Sequence, residues 1–201
     1  MRGREIKRIC VFCGSSLGAK PEYVRAAVQL GQTLANKNIG LVYGGGSVGL
    51  MGKIAHAVLQ HGGGVIGVIP KELVEKEVGF TDLSDLRVVG SMHERKALME
   101  KISDGFIALP GGLGTIEEFF EVLTWAQLGM HQKPCGLLNV CQYYDKLVEF
   151  LDHAVNHQFI EGEHRSMMLI ENNPETLLKK FEEYQPPKVD KAEWALRISN
   201  S

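Results

Sequence analysis

The chain has 201 residues and a formal net charge of −2, from 22 Lys and Arg against 24 Asp and Glu. That balance argues against a general nucleic-acid binder, which needs a basic surplus to displace counterions from phosphates. No apolar run approaches the ~20 residues that span a bilayer, and the charged opening MRGREIKRIC lacks an apolar signal core, so the chain reads as cytoplasmic.

Short β-branched runs alternate with amphipathic stretches along the chain. Strands are expected at Ile9–Phe12, Gly40–Tyr43, Val65–Ile69, Arg87–Val89, Phe106–Leu109, Pro134–Leu138 and Met167–Ile170. Helices are expected at Pro21–Asn36, Val48–Gln60, Glu94–Ile102, Thr115–Leu128, Tyr144–Asn156 and Glu175–Tyr184, with an irregular segment from Pro70 to Ser84. Repeated strand–helix alternation predicts an α/β fold: a Rossmann-like, doubly wound parallel sheet with helices on both faces. Residues 1–184 form one domain in this reading. Residues 185–201, with Pro186 and Pro187 and mixed charge, form a flexible tail.

Eleven of the 23 glycines fall in three places: Gly44, Gly45, Gly46, Gly49 and Gly52; Gly62, Gly63 and Gly64; and Gly111, Gly112 and Gly114. Gly44, Gly46 and Gly49 match G-x-G-x-x-G, but they follow the second strand, and no acidic residue follows where a ribose hydroxyl would need one. A tight turn and a ligand contact remain equal alternatives for that loop. Pro110-Gly111-Gly112-Leu113-Gly114-Thr115 is more informative, because it follows a strand and opens a helix. Its backbone N–H groups can converge on an oxyanion where the helix dipole is positive, and Thr115 adds a hydroxyl.

On the helix after this loop, 100° per residue places Ile116, Phe119, Phe120 and Leu123 on one stripe, expected to cover the sheet. Glu118, Val122, Trp125 and Gly129 form a second stripe, expected to meet a second subunit. Glu118 thus sits near the anion loop, either as a complement to the helix dipole or as a functional carboxylate.

The cysteines do not read as a metal set. Cys10 and Cys13 have CxxC spacing, but within a strand i and i+3 point to opposite faces. His153 and His157 have i, i+4 spacing without a third ligand in sight. His93 reads as a residue that stabilises a turn.

Pro110-Gly111-Gly112-Leu113-Gly114-Thr115-Ile116-Glu117-Glu118 resembles the P-G-G-x-G-T-x-x-E motif of the LONELY GUY (LOG) family, and Met92-His93-Glu94-Arg95-Lys96 resembles its second motif, with an Arg-Lys pair. Cys13-Gly14-Ser15-Ser16, Tyr43-Gly44-Gly45-Gly46-Ser47 and Thr124-Trp125-Ala126-Gln127-Leu128-Gly129 extend the likeness, which runs from about Ile9 to Tyr184. The resemblance implies hydrolysis of the N-glycosidic bond of a nucleoside 5′-monophosphate, giving a free base and ribose 5-phosphate; in cytokinin producers the base is an N6-prenylated adenine. It implies Arg95 and Glu118 as the catalytic pair, and Glu77, Lys96, Gly111, Gly112, Gly114 and Thr115 as substrate-binding residues. The chemistry requires no cofactor and no metal; the second stripe of the helix predicts a homodimer, and charge and hydropathy argue for neither a nucleic-acid nor a membrane partner. Lys76-Glu77-Val78-Gly79 departs from the family's usual R-E-I-T, and Leu113 stands where Tyr is common. The rival reading is a non-catalytic nucleotide or molybdenum-cofactor carrier of the same fold, which needs the anion loop but not the Arg95–Glu118 pair.

Overall fold

A computed structural model describes residues 4–74 and 83–187. Glu77 and most of the tail, from residue 188 onward, lie outside the described residues. Seven strands form one parallel sheet: β1 (Arg8–Phe12), β2 (Gly40–Tyr43), β3 (Val65–Pro70), β4 (Leu86–Val89), β5 (Gly105–Ala108), β6 (Cys135–Leu138) and β7 (Met168–Glu171). Their order is β4-β3-β2-β1-β5-β6-β7. The chain winds outward from β1 to one edge, crosses back, and winds out the other way from β5. The direction of winding therefore reverses between β1 and β5, where Phe12 pairs in register with Ala108. In open parallel sheets the crevice beyond the carboxyl ends of two such strands is the place for a ligand.

Eight helices connect the strands among the described residues: α1 (Pro21–Asn36), α2 (Gly49–Gln60), α3 (Lys71–Val74), α4 (Met92–Ile102), α5 (Leu113–Gln127), α6 (Asp145–Asn156), α7 (Gly162–Ser166) and α8 (Pro174–Glu183). Side chains alternate along each strand and so build two cores. Ile9, Val11, Leu41, Tyr43 and Ile107 pack under Leu30 and Leu34 of α1, Ile54 and Val58 of α2, and Leu177 and Phe181 of α8. Cys10, Phe12, Val42, Phe106 and Ala108 pack under Met99 of α4, Phe119 and Val122 of α5, and Leu151 of α6. Cys10 and Cys13 thus belong to opposite cores, as strand alternation requires. Strand burial on both faces explains why these runs are continuously apolar.

Three short elements escape periodicity: α3, which is one turn inside the segment expected to be irregular; the turn Val140–Gln142; and α7. None is long enough for a hydrophobic repeat to emerge.

The two-stripe reading of α5 needs correction. Its buried residues are Thr115, Phe119, Val122 and Ala126. At 100° per residue that line runs between the two expected stripes, so Val122 joins Phe119 on the sheet rather than facing a partner. Ile116, Phe120 and Leu123 form one half-buried flank, and Glu118 and Trp125 the other.

Candidate active site

The β1 and β5 ends are stitched together before any side chain is considered. Leu109 N–H donates to the Phe12 carbonyl at 2.9 Å, and Gly14 N–H donates to the Pro110 carbonyl at 3.1 Å. The Gly14 carbonyl in turn accepts from Leu50 N–H at 3.0 Å, which binds the start of α2 to the same corner.

The glycines here have different tasks. Gly49 has a φ of +61°, and a β-carbon there would run into the Ser15 backbone; one at Gly52 would collide with the Ser47 carbonyl. These two serve tight turns and close packing. Gly44 differs: its β-carbon would meet the Arg95 guanidinium, so the glycine makes room for that side chain. At Gly111 a β-carbon would collide with the Thr115 side chain, whereas at Gly112 and Gly114 it would meet nothing within 4 Å. At the last two glycines the side-chain direction is open, so nothing there blocks a ligand from approaching the start of α5. Gly112 is the residue preceding α5, and Leu113, Gly114 and Thr115 form its first turn.

Arg95 arrives from the opposite wall. Helix α4 is started by Ser91, whose hydroxyl accepts from Glu94 N–H at 3.1 Å, while the Glu94 carboxylate accepts from Gly90 N–H at 2.8 Å. This reciprocal cap fixes the rotation of α4 and turns Arg95 and Met99 inward. Arg95 Nη2 lies 3.1 Å from Glu118 Oε1, with side chains only 8% and 12% exposed. Among the described residues the buried Arg95 Nε has no hydrogen-bond partner. A guanidinium and a carboxylate with so little water around them interact far more strongly than a surface pair. The pair also reaches into β1: burial pushes the Cys13 and Cys10 thiols up, and the Glu118 charge adds to both shifts.

These residues enclose a cleft of about 340 Å3, within the range of small-molecule sites. Arg95, Glu118, Gly112, Gly114 and Thr115 all line it, with Cys13, Gly14, Ser15 and Gly44 behind. Met51, Leu73, Met92 and Leu113 add an apolar margin. Gly111 lies just behind, against a second cleft of about 330 Å3 on the Tyr23 side of the same loop.

Lys96 is placed differently from its neighbour. Its Nζ sits 2.7 Å from Glu117 Oε1 and 2.9 Å from Glu121 Oε1, so it clasps α4 to α5. Partial burial pulls its pKa down, but the hydrogen bonds and charges of Glu117 and Glu121 outweigh this, and the net shift is upward. Lys96 does not line the cleft; Glu117, which it holds, does. His93 is exposed in the first turn of α4 and does not line the cleft either. Arg165, on α7, pairs with Asp152 at 2.9 Å.

Leu73 and the tyrosines after β6 were not singled out from the sequence. Tyr144 donates its hydroxyl to the Leu109 carbonyl at 2.7 Å, and Tyr143 donates to the Gly111 carbonyl at 2.6 Å. The available signal was positional: these tyrosines follow the carboxyl end of β6, on the same edge as the loop they touch.

A doubly wound parallel sheet, with a glycine-rich helix start and a buried carboxylate–guanidinium pair at its switch point, defines an α/β protein of the Rossmann-like class. The family model described as "Possible lysine decarboxylase" matches residues 51–181. A cytokinin riboside 5′-monophosphate phosphoribohydrolase of Arabidopsis thaliana is 53% identical over 180 residues, which cover 90% of this chain and 83% of that protein. A probable enzyme of the same name from Oryza sativa subsp. japonica is 54% identical over 184 residues, covering 92% and 75%. The chain belongs to this LOG family. Among solved structures, the molybdenum cofactor binding protein of Rippkaea orientalis superimposes with a TM-score of 0.65 at 26% identity, covering 87% of this chain and 94% of that one. The molybdenum cofactor carrier protein of Chlamydomonas reinhardtii, at TM-score 0.63 and 21% identity over 88% and 99%, shares the fold. Among the described residues no helix is long and apolar enough to cross a membrane.

Proposed function

We propose that this protein hydrolyses the N-glycosidic bond of adenosine 5′-monophosphate and its N6-prenylated forms, releasing the base and ribose 5-phosphate. The observation that carries this reading is the Arg95–Glu118 pair at 3.1 Å inside the cleft that the α5 amides border. An anion cradle alone suits a carrier. A carboxylate held beside it by a buried guanidinium suits a reaction in which positive charge develops on a sugar. The names of relatives at 53% and 54% identity point the same way, against 26% for the molybdenum cofactor binding protein.

In the proposed mechanism the amides of Gly112, Gly114 and Thr115, with the Thr115 hydroxyl, hold the 5′-phosphate. Anchoring one end of the ribose fixes its anomeric carbon in position, so binding energy supplies orientation. As the bond to the base breaks, positive charge grows at that carbon, and the Glu118 carboxylate stabilises it and orients the attacking water. Arg95 holds Glu118 in place, a task its planar fork performs better than a lysine would. Met92 and Leu113, the latter 87% exposed, offer apolar contact to a base and its N6 substituent at the mouth. Glu77 is retained as a substrate-binding residue on the family resemblance, and Lys96 is assigned to hold Glu117 rather than the phosphate.

The test is product analysis with AMP, N6-isopentenyl-AMP and adenosine. Free base and ribose 5-phosphate from the two monophosphates, with none from adenosine, supports the hydrolase. Tight nucleotide binding without either product supports the carrier.

The proposal includes a cytoplasmic homodimer. The flank of α5 carrying Phe120 and Leu123 lines an apolar hollow of about 170 Å3 with Leu151 and Ile160, and Leu128 and Met130 are exposed just beyond α5. A sedimentation mass of one chain would contradict the dimer.

A further inference from the structure

We propose that Tyr143 is the positioning residue of the anion cradle, setting the direction of the Gly111–Gly112 peptide; this deepens the reading of that loop as a phosphate site. The Tyr143 hydroxyl donates to the Gly111 carbonyl at 2.6 Å. A trans peptide is planar, with its C=O and N–H on opposite sides. Holding the Gly111 carbonyl toward Tyr143 therefore directs the Gly112 N–H away from it. Tyr143 lines the cleft on the Tyr23 side of the loop, while Gly112 also lines the cleft holding Arg95 and Glu118, and the proposed direction of the N–H is toward this second cleft. On its Gly111 side this peptide is packed against Thr115 and Gly14, but on its Gly112 side a β-carbon would touch nothing within 4 Å. A glycine–glycine peptide flips readily, and a flip would present a carbonyl to the phosphate in place of a donor.

The chain holds Tyr143 at a conformational cost. Cys141 and Gln142, at φ of 52° and 61°, are consecutive non-glycine residues in the left-handed region. Asn139 secures this turn. Its side-chain amide donates to Asp145 Oδ1 at 2.7 Å, its Oδ1 accepts from Tyr144 N–H at 2.8 Å, and its backbone N–H donates to the Glu171 carbonyl at 2.7 Å. The result sets two adjacent hydroxyls on two carbonyls of one segment, Tyr144 on Leu109 and Tyr143 on Gly111. Only Tyr144 is buried, and burial pushes its phenol up. Tyr143, 42% exposed, packs edge-on against Tyr23 at 5.8 Å and Tyr144 at 4.9 Å. Its ring is thus held independently of its hydroxyl.

The test is Tyr143→Phe, which removes the hydroxyl and keeps the ring contacts. Calorimetric binding of ribose 5-phosphate and AMP is expected to weaken about 10-fold, while adenosine binding is unchanged. The Gly112 amide resonance, which should move in the wild type on addition of ribose 5-phosphate, is expected to move less. A purely structural tyrosine would shift melting temperature without this selectivity for phosphorylated ligands. Affinity for ribose 5-phosphate within twofold of the wild type would overturn the assignment and leave the hydrolase reading intact. Wild-type binding of ribose 5-phosphate, weakened by Tyr143→Phe but without hydrolysis of AMP, would overturn the hydrolase and uphold Tyr143. A wild-type protein that binds no phosphorylated ligand would overturn both.

Discussion

Gly44 and Arg95 are fitted to each other: a β-carbon at position 44 would fall against Arg95 Nη2, the atom that pairs with Glu118. The glycine just after β2 therefore sets how deeply the guanidinium sits. Gly44→Ala should keep the fold, because position 44 is not among the positive-φ glycines, but it should displace Arg95 and its carboxylate. A displacement of about 1 Å costs on the order of 100-fold in turnover. Steady-state kinetics on AMP, beside a melting curve, checks this; unchanged kcat would separate the Gly44–Arg95 contact from catalysis.

Glu118→Gln removes the charge and keeps the shape. Loss of turnover of about 100-fold or more is expected, with nucleotide affinity retained. Glu118→Leu should additionally lower stability by about 3 kcal/mol, since it strands a buried guanidinium. Denaturant titration distinguishes the two variants.

Lys96→Met tests the clasp between α4 and α5. If Lys96 holds Glu117 and Glu121, removing it leaves two carboxylates facing each other at 55% and 25% exposure. Stability should fall by about 1 kcal/mol, or roughly 3 °C in Tm for a chain of this size. A direct phosphate ligand would instead leave Tm unchanged and raise KM.

His131 gives a pH dependence of stability with a definite sign. Its Nε2 lies 2.9 Å from the Val122 carbonyl, and its Nδ1 accepts from Lys133 N–H at 3.1 Å, an arrangement that suits the neutral ring. Burial is the largest cause of its lowered pKa, against the usual 6.5. The unfolded chain therefore takes up this proton at higher pH than the folded one. The contribution is complete above about pH 6.5 and is lost as pH falls through the depressed folded value. Tm measured between pH 7.5 and 5 should fall for the wild type and fall less for His131→Gln.

The strand–helix alternation was legible because both faces of the sheet are covered, so each strand is a solid apolar run, and α1 and β2 match their expected bounds. The glycine-rich start of α5 was legible from its place after a strand, and the pairing of Arg95 with Glu118, now seen at 3.1 Å, was implied by the family resemblance. The inward face of α5 was not legible, because the buried line through Thr115, Phe119, Val122 and Ala126 runs between the two assumed stripes and takes one member from each. The family's Arg-Lys motif implied Lys96 beside Arg95 at the substrate, and a helix turning 100° per residue gives the two side chains different partners here, Glu118 for Arg95 and Glu117 with Glu121 for Lys96. Gly44 and Tyr143 act through contacts distant in sequence, with Arg95 and Gly111, which no local pattern encodes.

The most direct measurement is a crystal structure of the Glu118→Gln variant soaked with AMP. The account predicts the phosphoryl oxygens within hydrogen-bonding distance of the amides of Gly112, Gly114 and Thr115, with the anomeric carbon facing residue 118. A phosphoryl group bound away from that loop, or residue 118 turned from the anomeric carbon, would contradict it.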